Sequence, residues 1–266
     1  MIYVVPSLKA KEKLQCEGKA WAESQGFTYV PRGKRTIQDL MDEYGEDFLV
    51  YSSRGPQIDR PEGSHFFSLN MAELRIQNLR KGQRDHLLEA LMGRESSKLP
   101  ITVLDCTCGF GADAAVASFG LPAGSRIDAL EVSPLLEAVT SWGFSHFVHK
   151  KDDVTAALRR ISLRRGDYRD YLLSDEEPVY DVLYFDPMFQ RPVEASCQFQ
   201  PVRAIMEHGG LTRDLIERAL QKARRRVVIK ERDFRQLCRD FPEVTLYGGK
   251  YSRIGYAVLE CDSWKK

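Results

Sequence analysis

Short apolar segments alternate with helical segments from residue 101 to the end of the chain, and this alternation restricts the fold more than any other feature. The apolar segments predict strands at residues 101–105, 126–131, 160–165, 179–185 and 226–230. The segments between and after them predict helices at 112–119, 133–142, 152–159, 211–224 and 234–241. Strands that alternate with helices form a mostly parallel sheet with helices on both faces. Two last segments, 244–247 and 256–260, predict an antiparallel pair that closes the sheet.

A smaller α/β unit precedes this pattern. Its predicted strands are residues 1–5, 27–30 and 48–52, and its predicted helices are 8–25 and 36–44. Residues 53–64 are rich in glycine, proline, serine and charge, which predicts a loop between two domains, 1–64 and 65–266. A strand at 66–70 is predicted next, followed by one helix over 71–93 or by two helices that separate at Gly82.

The composition is that of a globular protein, with 43% hydrophobic and 29% charged residues. The formal net charge of +1 excludes nucleic-acid binding by bulk charge alone, although a local basic face is compatible with it. The six cysteines form no C-x-x-C pair and the five histidines have no ligand spacing, so no metal site is predicted. The N-terminal apolar run is unlike a signal peptide, and every apolar stretch is shorter than the roughly 20 residues of a membrane span. The predicted location is the cytoplasm.

The segment DCTCGFGAD, which starts at Asp105, carries the first ligand-binding pattern. Gly109 and Gly111 lie in a turn between a strand and a helix, where glycine lets a ligand approach the backbone. Because Ala114 completes a G-x-G-x-x-G/A pattern, the glycines alone are compatible with a dinucleotide site. Asp105 and Thr107 favour a ligand that carries an ammonium group instead, since a carboxylate can hold such a group.

Acidic residues also stand at or just after the ends of the next two predicted strands. Glu131 ends the second strand, where a carboxylate can accept hydrogen bonds from two ribose hydroxyls. Asp167 follows the third strand and can accept a hydrogen bond from an adenine amino group. Asp152 and Asp153 compete with Asp167 for that role, although they stand at the start of a predicted helix.

The segment DPMF follows the fourth strand and supplies the predicted reaction chemistry. An exocyclic amine of a base is a poor nucleophile, because its lone pair is delocalised into the ring. The carboxylate of Asp186 and the backbone carbonyl of Pro187 can accept the two amine hydrogens, which aims the lone pair at an electrophilic methyl group. Phe189 can stack on the base, which is worth about 1–3 kcal/mol. Asp186, Pro187 and Phe189 are therefore the predicted catalytic residues.

These motifs resemble those of the RsmJ-like family of bacterial small-subunit ribosomal RNA guanine-N2 methyltransferases. The shared segments are DCTCGFGAD, EVSPLL, DPMF and VVIK, within roughly residues 65–260. The resemblance implies an enzyme that depends on S-adenosylmethionine (SAM). It implies a Rossmann-like class I methyltransferase sheet, mostly parallel with an antiparallel terminal hairpin, beside the small N-terminal α/β subdomain. The implied cofactor site contains Asp105, Thr107, Gly109, Gly111, Asp113, Glu131, Val132 and Asp167.

Basic residues near these motifs are the predicted RNA contacts. Lys230 ends the fifth strand at the carboxyl edge of the sheet, where ligands bind, and Arg75 and Arg84 lie on the helical segment that enters the domain. The predicted partner is ribosomal RNA or the small ribosomal subunit, with no metal and no membrane. Two alternatives are an NAD(P)-dependent oxidoreductase and a non-catalytic RNA-binding factor with a methyltransferase fold.

Overall fold

The computed structural model describes residues 1–93, 99–175, 179–187, 210–248 and 254–264. In chain order the elements are β1 (Tyr3–Pro6), α1 (Glu12–Ser24), β2 (Thr28–Tyr29), α2 (Ile37–Tyr44), β3 (Phe48–Ser52), β4 (Gly55–Arg60), β5 (Gly63–Phe66), α3 (Asn70–Arg80), α4 (His86–Met92), β6 (Thr102–Asp105), α5 (Ala112–Gly120), β7 (Arg126–Glu131), α6 (Pro134–His146), α7 (Asp152–Leu158), β8 (Ile161–Arg165), α8 (Tyr168–Leu173), β9 (Val182–Phe185), α9 (Arg213–Lys222), β10 (Arg226–Glu231), α10 (Arg235–Asp240), β11 (Thr245–Gly248), β12 (Gly255–Glu260) and α11 (Cys261–Trp264).

The described residues divide into two compact units. The first contains Met1–Ser68 and Ser133–Phe147, and the second contains the other described residues. The first unit thus includes helix α6 as well as the N-terminal segment. The division into domains 1–64 and 65–266 stays a prediction.

In the first unit, the described strands form a sheet in the order β2-β1-β3-β4-β5. β1 is parallel to β2 and β3, whereas β4 is antiparallel to both β3 and β5. Helix α6 packs against β4. Val5, Leu40, Phe48 and Val50 form a buried apolar cluster, so the alternating apolar residues of β1 and β3 meet helix α2.

The prediction of a loop over residues 53–64 is wrong, because β4 and the first half of β5 lie there. All six residues of β4 are buried, and its polar side chains have partners. The amide of Gln57 donates to both carboxylate oxygens of Asp59, at 2.8 and 2.9 Å. Arg60 donates to the backbone carbonyls of Asp59 and Glu46, at 2.8 and 2.6 Å. Polar residues that satisfy one another in this way can be buried, although their composition is that of a loop.

The predicted strand at 66–70 is also wrong, because β5 ends at Phe66 and α3 begins at Asn70. The two-helix alternative for residues 71–93 is confirmed, since α3 ends at Arg80 and α4 begins after Asp85, whose side chain caps it. Helix α8 is present although the sequence did not predict it.

In the second unit, the described strands form a sheet in the order β11-β12-β10-β9-β6-β7-β8. The five strands β10, β9, β6, β7 and β8 are parallel to one another, and β12 is antiparallel to β10 and β11. This arrangement confirms the predicted Rossmann-like class I methyltransferase sheet with its antiparallel terminal hairpin. The carboxyl ends of β6, β7, β8, β9 and β10 consequently meet at one edge of the sheet.

One face of this sheet carries a large apolar cluster. Leu183 and Phe185 of β9, with Val227 and Ile229 of β10, pack there with residues of α8 and α9. The residues between them, such as Tyr184, project to the opposite face, because side chains alternate along a strand. Helix α5 contacts β7 and β8 and packs with α3 and α4. The alternation leaves the side chains at positions 184 and 230 on the same face.

We predict that Gly143→Ala destabilises the protein, although alanine favours a helix by about 1 kcal/mol. A Cβ at Gly143 in α6 would lie 1.9 Å from Cγ of the buried ring of Phe67. Overpacking of this kind costs about 1–3 kcal/mol, so the free energy of unfolding falls by about 1–2 kcal/mol in urea titrations. Ser145→Ala, an exposed change on the same helix, is the control. Phe67→Leu in the Gly143→Ala background should restore part of the loss, and an unchanged Gly143→Ala protein would contradict the packing.

Candidate active site

The glycine turn between β6 and α5 has the backbone conformation that glycine permits. Gly109 has φ +54° and Gly111, the N-cap residue of α5, has φ +74°. A Cβ built on Gly109 would meet only the backbone carbonyl oxygen of Thr107, at 3.9 Å. Among the described residues, the space beside this turn is therefore open to a ligand, and backbone N–H groups at the start of α5 adjoin it.

Asp105 lies buried at the end of β6, with 3% of its surface exposed. Its carboxylate accepts a hydrogen bond from the backbone N–H of Thr107 at 3.1 Å. Burial raises the pKa of the Asp105 carboxyl well above its ordinary value, and the nearby carboxylates of Asp113 and Asp186 raise it further. A bound cation beside Asp105 would favour its ionised form, so this residue fits the ammonium group of SAM.

Glu131, the last residue of β7, is buried and contacts the glycine turn. Its Oε2 atom accepts a hydrogen bond from the backbone N–H of Gly109 at 2.9 Å. Val132 follows it and is half-buried. A carboxylate at this strand end could accept hydrogen bonds from ribose hydroxyls, and the predicted contact of Glu131 with them stays a prediction.

Asp167 lies at the N-cap of α8, directly after β8. Its carboxylate accepts hydrogen bonds from the backbone N–H of Arg169 at 2.8 Å and from its Nε at 2.9 Å. Burial raises the pKa of Asp167, but these hydrogen bonds outweigh it and leave the pKa below its ordinary value. The predicted adenine contact stays a prediction. The competing residues Asp152 and Asp153 start helix α7, and Asp153 forms an ion pair with Arg80.

Asp186 directly follows β9, and its backbone connects two loops. Its N–H donates to the hydroxyl of Thr107 at 2.7 Å, so the loop after β9 is joined to the glycine turn after β6. Pro187 is half-buried beside it. Phe189, the third predicted catalytic residue, lies outside the described residues.

Lys230 links Asp186 to Asp113. Its ammonium donates to Oδ2 of Asp186 at 2.7 Å and to Oδ2 of Asp113 at 2.8 Å. The strand register explains this contact: Tyr184 pairs with Val228 and Phe185 with Ile229, so the next positions, 186 and 230, are neighbours. The sequence predicts a phosphate contact for Lys230 and a cofactor contact for Asp113, and both stay predictions.

Lys230, Asp113 and Asp186 form a cluster of charged side chains, and Arg75 on helix α3 extends it. Its guanidinium forms an ion pair with Asp113 and a two-point ion pair with Asp85, at 2.7 and 2.8 Å. Arg84, the other predicted phosphate contact on this segment, has a side chain that is 88% exposed and lies 3.6 Å from Glu89.

Two residues that the sequence analysis did not single out complete the cluster. The hydroxyl of Tyr184 donates to Oδ2 of Asp113 at 2.7 Å, and Asp85 accepts the hydrogen bonds of Arg75. A tyrosine in the buried strand VLYF is the signal that could have found Tyr184, since its hydroxyl needs a partner. Asp85 had no comparable signal, because its N-cap position explains it locally.

The ionised groups of this cluster set one another's pKa values. Burial is the largest cause that raises the pKa of Asp186, Lys230 lowers that pKa and Asp113 raises it, and together they leave it at about 6. Asp113 behaves differently. Burial raises its pKa, but the charges of Lys230 and Arg75 prevail and hold it well below its ordinary value. Burial lowers the pKa of Lys230, yet the carboxylates of Asp113 and Asp186 leave it raised. At neutral pH Asp113 and Lys230 are therefore charged, and Asp186 is mostly ionised.

Neither a metal cluster nor a membrane segment is found in the part of the chain that the structure describes. No group of three or more His, Cys, Asp or Glu side chains there could hold a metal ion. None of the helices within the described ranges has the length and apolar character that crossing a bilayer requires.

Most of the chain matches the model of a known protein family. The family model SAM_MT, described as "Putative SAM-dependent methyltransferase", matches residues 63–254. The match includes the glycine turn, Glu131, Asp186 and Lys230. The solved structure of the SAM-dependent methyltransferase NGO1261 from Neisseria gonorrhoeae is similar in fold, with a TM-score of 0.63 and 17% identity. The superposition covers 97% of this chain and 95% of that one.

Curated relatives share more of the sequence. An uncharacterized protein from Bacillus subtilis, YpiP, is 28% identical over 86% of this chain and 88% of its own length. The ribosomal RNA small subunit methyltransferase J of Marinobacter nauticus is 28% identical over 72% of this chain and 66% of its length. The protein of that name from Thioalkalivibrio sulfidiphilus is 30% identical over 55% of this chain and 57% of its length. The matches thus span less than two thirds of the two methyltransferases.

We predict that Asp105→Asn raises the melting temperature of the SAM-free protein at pH 8 but not at pH 4. The folded-state pKa of Asp105 is raised, so this residue destabilises the folded protein increasingly as pH rises above its unfolded pKa of about 4. The neutral amide removes this penalty and keeps the hydrogen bond from Thr107. The same change should weaken SAM binding about tenfold or more in calorimetry, because the ammonium loses its charged partner. Equal melting temperatures at both pH values would refute the effect.

Proposed function

The chain belongs to the family of SAM-dependent methyltransferases, and from that premise we propose that it methylates an exocyclic amine of a base in RNA. The proposed target is N2 of a guanine in small-subunit ribosomal RNA. The relatives from Marinobacter nauticus and Thioalkalivibrio sulfidiphilus carry the name ribosomal RNA small subunit methyltransferase J, and the DPMF segment supplies the acceptors that an amine needs.

The observation that carries the proposal is the position of Asp186 relative to the glycine turn. Asp186 follows β9, and β9 lies beside β6, whose end begins the glycine turn. The hydroxyl of Thr107 accepts the backbone N–H of Asp186, which ties the two loops together. A carboxylate acceptor and an open cofactor turn therefore adjoin each other at the carboxyl edge of the sheet, where α/β folds bind ligands.

The residues around the turn fit SAM. We propose that Asp105 holds its ammonium, Glu131 its ribose hydroxyls and Asp167 its adenine amino group. The remaining proposed contacts are Thr107, Gly109, Gly111, Asp113 and Val132. When bound, SAM supplies an electrophilic methyl group on a sulfonium. The family and the strand order favour this cofactor over the dinucleotide that the glycine pattern alone would permit.

The proposed role of the loop after β9 is to hold the target amine. The carboxylate of Asp186 accepts one amine hydrogen and the carbonyl oxygen of Pro187 accepts the other, so the nitrogen lone pair points away from both acceptors. Phe189 stacks on the base in this proposal. Positioning is the main contribution of the protein, because the methyl donor is already activated. A paired guanine would first have to leave its stack.

Binding of RNA phosphates requires basic side chains. Because the net charge is only +1, these side chains must be concentrated near the site rather than spread over the whole surface. Arg84, with its exposed side chain, is the proposed contact that extends furthest into solvent. The sequence also predicts phosphate contacts for Lys230 and Arg75, but in the structure both side chains bind carboxylates. A ribosomal RNA substrate would place the protein in the cytoplasm.

We expect Asp186→Ala to lower the rate of methyl transfer about 100-fold or more, because the amine loses a hydrogen acceptor and its orientation. SAM affinity should stay within about twofold, since Asp186 is not among the proposed cofactor contacts. Single-turnover transfer and calorimetric SAM binding measure the two effects. Asp233→Ala, an exposed carboxylate beyond β10, is the control. Undiminished transfer by Asp186→Ala would remove the proposed role.

Nucleoside mass spectrometry of small-subunit ribosomal RNA tests the substrate. We expect one N2-methylguanosine to be missing from cells that lack the gene and to return when the gene is supplied. The Asp186→Ala gene should fail to restore it. An unchanged nucleoside profile would overturn the ribosomal RNA assignment, and SAM binding without methylation of any RNA would support the non-catalytic alternative.

A further inference from the structure

Five charged side chains alternate in sign along a path that ends at Asp186. Asp85 binds Arg75, Arg75 binds Asp113, Asp113 binds Lys230, and Lys230 binds Asp186. The side chains of Asp85 and Asp113 are 10% exposed and that of Asp186 is 29% exposed. The path therefore leads from the interior to the carboxylate that adjoins the glycine turn.

We propose that Lys230 is a positioning residue for methyl transfer and that Asp113 holds Lys230 in place for this purpose. This inference rests on the proposed function, in which Asp186 accepts a hydrogen of the target amine. The ammonium of Lys230 fixes one carboxylate oxygen of Asp186, which directs the other oxygen, Oδ1, toward the amine. Lys230 acts through Asp186, whereas the sequence alone suggests that it contacts a phosphate.

The contacts of Asp186 support this role because they fix the residue at two points. Its backbone N–H is bound by the hydroxyl of Thr107 at 2.7 Å, and its Oδ2 is bound by Lys230 at 2.7 Å. With the main chain and one oxygen held, the plane of the carboxylate has little freedom. Displacing a reacting group by about 1 Å can slow a reaction about 100-fold, so such restraint affects the rate.

The contacts of Asp113 show that Lys230 itself is held. Oδ2 of Asp113 accepts hydrogen bonds from Lys230 at 2.8 Å and from the hydroxyl of Tyr184 at 2.7 Å, and Oδ1 binds Arg75. Buried ion pairs of this kind add little net stability, because removing charges from water offsets their attraction. A role in orienting the exposed end of the path accounts for an arrangement that stability alone does not require.

The charges around Asp186 make the inference testable by pH. The groups that face Asp186 are the ammonium of Lys230 and, with opposite effect, the carboxylates of Asp113 and Glu231. The Tyr184 hydroxyl and the Asp105 carboxyl are also close enough to interact with its charge. Lys230 lowers the pKa of Asp186, so removing the ammonium must raise that pKa above about 6.

The experiment compares Lys230→Met with Lys230→Arg. Lys230→Met should lower kcat about 100-fold and leave SAM affinity within about twofold. In the plot of kcat against pH, the fall in activity at acid pH should begin about one to three pH units higher, because the pKa of Asp186 rises. Lys230→Arg keeps the charge and should retain more activity, and its kcat should fall at nearly the same acid pH as that of the natural protein. Lys9→Met, an exposed lysine of the first unit, is the matched control. A rise in KM for RNA with unchanged kcat would overturn the inference and support a phosphate contact instead.

A double-mutant cycle tests whether Lys230 acts through Asp186. In an Asp186→Ala background, Lys230→Met should cause no further loss of kcat, because the group that it positions is gone. Additive losses would overturn the inference. Circular dichroism and the melting temperature of each variant confirm that it is folded.

A measurement of the Asp186 pKa in the absence of RNA can test this inference independently of the proposed function. Carbon NMR of labelled aspartate carboxyls in the SAM-free protein, assigned by the signal lost in Asp186→Ala, gives the pKa of Asp186 directly. It should titrate near 6 in the natural protein and higher in Lys230→Met. If this shift appears but no RNA is methylated, the proposed function fails and the coupling stands. If the pKa does not move, the inference fails whatever the substrate is.

Discussion

The ammonium of Lys230 between the carboxylates of Asp113 and Asp186 is the interaction on which the arrangement of the site depends. Three aspartates lie close together at this edge: the charges of Asp113 and Asp186 raise the pKa of Asp105, and the charge of Asp113 raises that of Asp186. Like charges in a poorly solvated place repel strongly, so the cluster needs cations within hydrogen-bonding distance. Lys230 from β10 and Arg75 from α3 supply them, and the carboxyl edge of the sheet can thereby be acidic and buried at once.

Two hydrogen bonds hold the glycine turn against its neighbours at this edge of the sheet. Thr107 links the glycine turn to the loop after β9, and Glu131 links the same turn to the end of β7. The turn therefore has partners on both neighbouring strands of β6. Both hydrogen bonds restrain the turn, and a restrained binding site loses less entropy when its ligand binds.

The location of the site could be predicted from sequence, whereas the roles of its cations could not. Asp105, Glu131, Asp167 and Asp186 stand at or just after the ends of strands whose positions along the chain could be read from the apolar pattern. Parallel strands bring their carboxyl ends to one edge. Lys230 was also placed at this edge. Its partner Asp113 lies 117 positions earlier in the chain. No periodicity within β10 identifies such a partner, so Lys230 resembled a free cation available to phosphate.

From residue 101 to residue 260 the sequence by itself determined the order of strands and helices apart from α8, the closing antiparallel pair and the residues at the strand ends, because each depends on local alternation and on turn residues. Only the tertiary structure decided that residues 55–60 form a buried strand, since Gln57, Asp59 and Arg60 become compatible with burial when their partners are present. It also decided that Arg75 and Lys230 neutralise a buried carboxylate. A charge is recorded in the sequence, but the charge that faces it depends on the register of strands and the packing of helices far apart along the chain.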